Sequence, residues 1–557
     1  MSTNSLLVNF AGFPSAPRML VPDNGLANLA GALLAAGHRT RILDYATADT
    51  VKALYPYEYK DRLQEVLQRI MRDIKGGSAP SPADMEQFHS IDYAIEKRKS
   101  VNVGDIARDI AAYIRNNNID FVGFKLWMGD GFEGSMTIAR ELKKNFPALP
   151  VFAGGPHVDW FGEKILECAD MFDVLVCGEG EEVIVQLADY VMGRRVLENI
   201  PNLLYRKRGV ACSTPRREIA DLNALAAPVY DEDVYPAMKG DLKLKFYLTD
   251  ESRGCPNKCA FCLHPAKSGG KWRMKSATGV VNEMERIMSK HGSNVFRFAG
   301  SNTPMPLALE IAREIIRRNL NVRYIGFANS GVAVSREEFA LLKRSGCFGF
   351  WFGIESGNQE MLDKVMNKKV KVEQLREKMK ACKEAGIHVT GSVIVPAPGE
   401  TGQSKQDTLR LLADVMPDSI IAEPPVVVPG TAWDTDAEKY NIVIPDRKKY
   451  VEHAMFYKMK LLYPPNLLPS FPYLTIDGKS MDSILQEAGA FNRDIERQGI
   501  LTQVTTDTAL LATYAGTTAR EFRDNARQWF LSGDYEKING MVATINENIE
   551  RTMTNLV

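Results

Sequence analysis

The sequence predicts an α/β chain in three parts: an N-terminal doubly wound sheet, a central partial (β/α)6 barrel and a mainly helical C-terminal region. Three observations predict it. Short apolar strands alternate with amphipathic helices over residues 1–205, as in a parallel sheet covered on both faces. Six further strand candidates, again separated by helices, run over residues 244–435 and fit an incomplete barrel. From 436 to 557 the periodicity is helical, as in ARQWFLSGDYEKINGMVATINENIERTM. At 557 residues the chain is too long for one core.

In the first part, strands are predicted at 6–10, 39–44, 121–126, 151–153 and 174–177, with helices near 26–37 and 132–145. Ligands of such sheets lie at the carboxyl ends of the strands. Those ends carry Gly154-Gly155-Pro156-His157 and Gly178-Glu179-Gly180-Glu181, and glycine pairs there let a flat or bulky ligand approach the backbone. Residues 51–105 form a polar, helix-prone insertion, read as solvated helices or as a cover over a site. Residues 206–243, rich in Ala, Pro and Asp, read as a linker.

The barrel strands are predicted at 245–249, 295–299, 324–328, 349–353, 388–395 and 419–427. Active sites of barrels lie at the C-terminal strand ends. There stand Gly353-Ile354-Glu355-Ser356-Gly357 after the fourth strand, Pro396-Ala397-Pro398-Gly399-Glu400-Thr401 after the fifth and Pro429-Gly430-Thr431 after the sixth. In the tail, Tyr457, Tyr463, Phe471 and Tyr473 sit among prolines, where they either line a pocket or pack on the barrel mouth.

The chemistry is concentrated after the first barrel strand, in Cys255-Pro256-Asn257-Lys258-Cys259-Ala260-Phe261-Cys262. Thiolates ligate iron–sulfur clusters, and C-x3-C-x2-C supplies three ligands, leaving one iron open for a substrate or cofactor. A zinc site would need a fourth Cys or His; His264 follows, but at no familiar spacing. Buried structural thiols rarely fall three in eight residues.

With Phe261 between the last two thiols, this stretch resembles the signature of the radical S-adenosylmethionine (SAM) superfamily. The resemblance implies a [4Fe-4S] cluster on Cys255, Cys259 and Cys262 whose open iron binds the amino and carboxylate groups of SAM. Reductive cleavage then gives a 5′-deoxyadenosyl radical. It also implies SAM contacts from Phe261, Arg273, Asn302, Glu355, Ser356 and Pro398. The second barrel strand departs from the family pattern. It ends Ala299-Gly300-Ser301-Asn302-Thr303-Pro304 without the usual Asp, so Asn302 or Ser301 is the expected substitute.

The combination VFAGGPH…DVLVCGEGEE resembles the cobalamin-binding domain fused to many radical SAM enzymes, which implies cobalamin against Gly154, Gly155, Pro156, Gly178, Glu179 and Gly180. The loop after the first strand reads Asn9-Phe10-Ala11-Gly12-Phe13-Pro14 and lacks the His that ligates cobalt in the well-known version of that fold. His157 is the nearest alternative, with capping of a turn as its expected role. Together the resemblances imply a C-methyltransferase that uses SAM both to methylate cobalt and to make the radical. The same architecture serves rearrangement or cyclisation, or radical chemistry with a cobalamin domain that no longer binds. A small-molecule or peptide substrate is implied, with a reductant such as flavodoxin or ferredoxin.

Composition narrows the partners. Lys plus Arg and Asp plus Glu number 69 each, which gives no support for nucleic acid or an anionic membrane. No apolar stretch is long enough to span a bilayer, and MSTNSLLVNF lacks the features of a signal peptide. Outside the loop the cysteines are Cys168, Cys177, Cys212, Cys347 and Cys382, a scatter expected of reduced thiols in a cytoplasmic protein.

Overall fold

The computed structural model describes residues 2–54, 57–76, 78–264, 270–328, 331–457 and 474–554. Its first sheet contains β1 (Asn4–Asn9), β2 (Arg39–Asp44), β3 (Phe121–Lys125), β4 (Val151–Gly154), β5 (Val174–Val176), β6 (Leu203–Lys207) and β7 (Val210–Ser213). The order is β2-β1-β3-β4-β5-β6-β7, the first five parallel and the last two antiparallel. The sheet thus continues to Ser213, past the boundary read at 205. Chain direction around the sheet reverses between β1 and β3, which places a crevice at their carboxyl ends.

The insertion is helical, with Lys60–Lys75 against Pro82–Asn117. It holds a small core of its own, Leu63, Val66, Ile70, Phe88, Ile91 and Ile95. Ser81 starts the longer helix by accepting from the Asp84 N–H, and Asn118 ends it at φ +48°. That helix runs on beyond 105 and is also the crossover into β3.

The second sheet is built from β8 (Tyr247–Thr249), β11 (Val295–Phe298), β12 (Arg323–Ala328), β13 (Cys347–Glu355), β14 (His388–Ile394) and β15 (Ser419–Glu423), the six strands predicted. A two-stranded ribbon, β9 (Ser252–Arg253) with β10 (Arg273–Met274), brackets the thiol loop. A small antiparallel sheet of β16 (Ile442–Val443), β17 (Thr475–Ile476) and β18 (Lys479–Ser480) follows the barrel. The barrel sheet itself has a seventh strand, β19 (Leu501–Thr502), parallel to β15 at its edge. Two residues are too few for an alternation pattern to reveal.

The segment read as a linker is packed. Val229 N–H donates to Ala27 O at 3.0 Å and Ile42 N–H to Val234 O at 2.7 Å, while Tyr230 and Tyr235 are buried. One continuous apolar core includes Leu7 and Phe152 of the first sheet, these tyrosines, and Tyr247 and Phe296 of the second.

The C-terminal helices Thr506–Tyr514, Ala519–Ser532 and Tyr535–Thr554 pack on Leu244, Phe246, Val295 and Ile325. Those residues lie at the N-terminal ends of β8, β11 and β12, so these helices close the bottom of the barrel. Tyr457 is half-buried; Tyr463, Phe471 and Tyr473 lie outside the described residues.

Candidate functional site

The thiol loop leaves β9 through Gly254, whose φ of +89° turns the chain sharply. Neighbours on the barrel hold its backbone. Ala260 N–H donates to Met366 O at 2.9 Å, and Ala260 O accepts from Trp433 N–H at 3.1 Å. Asn367 Nδ2 donates to Lys258 O at 2.7 Å. The Phe261 ring lies 5.6 Å from that of the fully buried Trp433. Phe261 therefore braces the loop on the segment after the sixth strand.

None of the three thiols is in a disulfide; Cys255 is buried and Cys259 and Cys262 are half-buried. Among the described residues, no three His, Cys, Asp or Glu side chains are gathered into a ready-made ion site. Burial pushes the Cys259 thiol up to about 12, opposed by the nearby Lys368 ammonium; burial raises Cys262 as well. Thiols in so dry a place ionise when a metal charge arrives to hold them. Three such thiols on one braced loop, with a fixed cation beside them, fit the open-sided iron–sulfur cluster implied by their spacing.

Asn302 is buried and its Nδ2 donates to Cys255 Sγ at 3.9 Å, so it stands beside the loop. Ser301 Oγ lies 2.9 Å from His264 Nδ1, which ties the second strand end to the end of the loop. A carboxylate reaches that strand end from just beyond the first strand. Glu251, fully buried, accepts from Gly300 N–H at 2.9 Å and from Thr303 Oγ1 at 3.0 Å. Burial pushes it up to about 7 against those two donors.

Glu355 has a φ of +61°, a left-handed conformation costly for a non-glycine residue, and such strain concentrates at functional turns. Its Oε1 accepts from Lys368 Nζ at 2.7 Å, and the same ammonium reaches Gly353 O at 2.6 Å. Ser356 is turned inward, with Oγ 3.5 Å from Thr408 Oγ1 and accepting from Asn358 N–H at 3.2 Å. Pro398 is buried in a turn whose Gly399, at φ +71°, donates its N–H to Asp477 at 2.7 Å. Thr401 then caps the helix Gly402–Val415. Ser356 and Pro398 are thus engaged in shaping their own loops.

At the carboxyl ends of the first sheet lies a cavity of about 260 Å³. Its walls include Leu7, Leu26, Phe152 and Ile184, and its rim carries Gly154, Gly155, Gly178, Glu179 and Gly180. Gly155 and Gly178, at φ +101° and +85°, need glycine's freedom. Pro156 is not in the lining; it starts the helix Pro156–Cys168. His157 is not a turn cap. It is fully buried between Phe132 and Phe161, with ring centroids 4.4 and 4.9 Å away. Neither ring nitrogen has a hydrogen-bond partner, and burial pushes its pKa down to about 4. An apolar cavity with a glycine rim at the strand ends fits part of a large organic cofactor.

The two sites meet at Arg253, which also lines the cavity. Its Nη2 donates to Glu181 Oε1 at 2.5 Å and to Asp250 Oδ2 at 2.9 Å, and Nη1 lies 3.6 Å from Glu179 Oε1. Arg273 makes a two-pronged pair with the same Glu179, at 2.8 and 2.9 Å, and reaches Ile219 O at 2.6 Å. Burial pushes the Glu179 carboxyl up, but Arg273, the Ile219 N–H and Arg253 outweigh it and hold the group below the usual carboxylate range. Two residues expected on different cofactors, Arg273 and Glu179, therefore bond to each other. Lys368, Glu251 and Arg253 carry no predicted role. In the sequence Lys368 sits in a basic run indistinguishable from a solvated surface.

The B12 binding domain matches residues 83–188 and the Radical SAM superfamily matches residues 252–412. The chain joins a B12-binding domain to a radical SAM domain. An uncharacterized methyltransferase of Pyrococcus horikoshii is 29% identical over 54% of this chain and 66% of its own length. The anaerobic magnesium-protoporphyrin IX monomethyl ester cyclase of Cereibacter sphaeroides is 28% identical over 51% of this chain and 47% of its own. The chain thus spans between about half and two thirds of these relatives. The radical SAM methyltransferase TsrM from Kitasatospora setae, solved with cobalamin and a [4Fe-4S] cluster bound, shares the fold. Its TM-score is 0.64 at 16% identity, over 95% of this chain and 98% of that one. The radical SAM domain implies a [4Fe-4S] cluster and SAM, and the B12-binding domain implies cobalamin. No described helix is long and apolar enough to cross a membrane.

Proposed function

We propose that this protein is a cobalamin-dependent radical SAM C-methyltransferase acting on a small molecule or peptide, served by a reductant such as flavodoxin or ferredoxin in the cytoplasm. The observation that carries the reading is the shared position of Arg253, two residues before Cys255 and in the lining of the glycine-rimmed cavity. When bound, the cluster supplies one electron to SAM for hydrogen abstraction, and cobalamin supplies a transferable methyl group.

The chain's own residues hold and orient these groups. Cys255, Cys259 and Cys262 ligate the cluster, and Phe261 and Asn367 fix the loop that carries them. Asn302 and the Glu355–Lys368 pair stand beside the thiols and would offer polar partners to SAM's amino and carboxylate groups. Gly154, Gly155, Gly178 and Gly180 let cobalamin approach the strand ends. The Asn9 side chain, in the loop that lacks the ligating His, is engaged instead by Trp127 Nε1 at 2.7 Å and Asp44 at 2.8 Å.

The test is anaerobic purification with cobalamin supplied, then absorbance and electron paramagnetic resonance. Stoichiometric corrinoid with a base-off, His-off cobalt signal beside the cluster supports the proposal; a cluster without corrinoid removes it. The relation to a cyclase supports a second reading, cyclisation or rearrangement. Product analysis separates the two, since methylation gives S-adenosylhomocysteine as well as 5′-deoxyadenosine.

A further inference from the structure

A set of ion pairs joins the two sheets. Several other pairs of this protein join residues three or four apart on exposed helix faces, where a pair contributes little. Arg253 and Arg273 instead meet Glu179 and Glu181 across 72 to 94 residues of sequence, with side chains only 8 to 16% exposed. Asp250 extends the cluster. It accepts from Asn24 and Asn28 of the helix Asn24–Ala35 at 3.1 and 2.7 Å, and from Arg253 on its other side.

These groups join two sites. Glu179 and Glu181 belong to the turn that rims the cavity, and Arg253 lines the cavity itself. Arg253 is also β9, the last ordered pairing before the thiol loop, and Arg273 is the strand to which β9 pairs. The loop therefore hangs between two guanidinium groups that are both anchored to the cavity rim. A three-carboxylate, two-guanidinium set in a largely dry place has few alternative arrangements of similar energy.

We infer that Arg253, with Arg273, Glu179 and Glu181, is a positioning clasp through which the thiol loop and the cavity rim order each other, so that assembling the cluster tightens corrinoid binding. The inference rests on the functional reading above. Coupling of this kind is reciprocal and amounts to about 5–150-fold in affinity where two sites share an ordered element.

The test is an anaerobic titration of hydroxocobalamin, followed by absorbance, into cluster-free and cluster-loaded full-length protein. In the wild type, the loaded protein is expected to bind at least about fivefold more tightly. In Arg253→Met and, from the other side of the clasp, Glu181→Gln, the loaded and cluster-free affinities should converge. Circular dichroism checks folding, and if Arg253→Met does not fold, Glu181→Gln alone carries the comparison. Equal affinities in the wild type, or a difference that survives both substitutions, overturn the inference while leaving the function intact. No corrinoid binding by wild-type protein in either form overturns the functional reading and the inference with it.

Discussion

Glu251 and His157 are both buried and titratable, and they shift in opposite directions for one cause, loss of water. Glu251 stands at about 7 in the fold against an ordinary 4.5, with Asp250 beside it adding to the rise. Between those values the folded chain holds a proton that the unfolded chain releases. Its contribution is full below pH 4.5 and is lost as pH climbs through 7, by at most about 3 kcal/mol at 1.36 kcal/mol per unit. Glu251→Gln should match the wild type in melting temperature at pH 5 and exceed it at pH 8; a constant difference across that range would refute this. For His157 the sign reverses, and its neutral form stabilises above pH 6.5 and is lost on acidification toward 4. With no polar partner to lose, His157→Phe should be neutral or stabilising at pH 6 and leave the corrinoid spectrum unchanged. A changed spectrum would make the histidine a ligand. At Glu355 two effects separate. Glu355→Gly and Glu355→Ala both strip Lys368 of its carboxylate, but only alanine retains the left-handed strain. The glycine variant should be more stable by about 1 kcal/mol in denaturant melts.

At the scale of elements, legibility followed distance along the chain. The thiol loop could be read because its three ligands fall within eight residues, and the parallel strands because each is an apolar run between turn residues. Lys368 and Arg253 could not, because their meaning lies in partners 13 to 74 positions away, for Arg253 beside another sheet. Gly178 and Gly155 were readable as turn glycines, but the pairing of Glu179 with Arg273 was not. The helical periodicity of the tail is legible in the sequence, yet β19 and the placement of the helices under the barrel depend on tertiary packing. That placement has a consequence. Ser419 Oγ donates to Val504 O at 2.6 Å, and Leu510, Leu511, Ile538, Val542 and Ile545 cover Leu244, Phe246 and Ile325. Truncation after residue 497 would bare the edge of β15 and this apolar floor at once. The shortened chain should be recovered as aggregate in sedimentation assays; a soluble monomer with intact circular dichroism would show the floor to be dispensable.

At the scale of the whole molecule, the question is whether the two sheets unfold together. The continuous core and the packed strap of residues 227–235 argue that they do. The strap crosses the helix Asn24–Ala35 at Gly31, where a Cβ would lie 2.2 Å from Ala227 O and 3.1 Å from its carbonyl carbon. In an isolated helix, Gly→Ala stabilises by about 1 kcal/mol. Here the added methyl meets backbone, which has no rotamer to move aside, and overpacking of this kind costs about 1–3 kcal/mol. The strap must therefore lift. Lifting it also loosens Val229 and Val234, which bond to Ala27 and Ile42, and with them the seat of Asn24 and Asn28 on Asp250. Wild-type protein should show one calorimetric transition. Gly31→Ala should melt lower and resolve into two, the first sheet separating from the barrel. A single transition at or above the wild-type temperature would mean that helix propensity outweighs the strap, and that the sheets are joined by the ion cluster and not by the core.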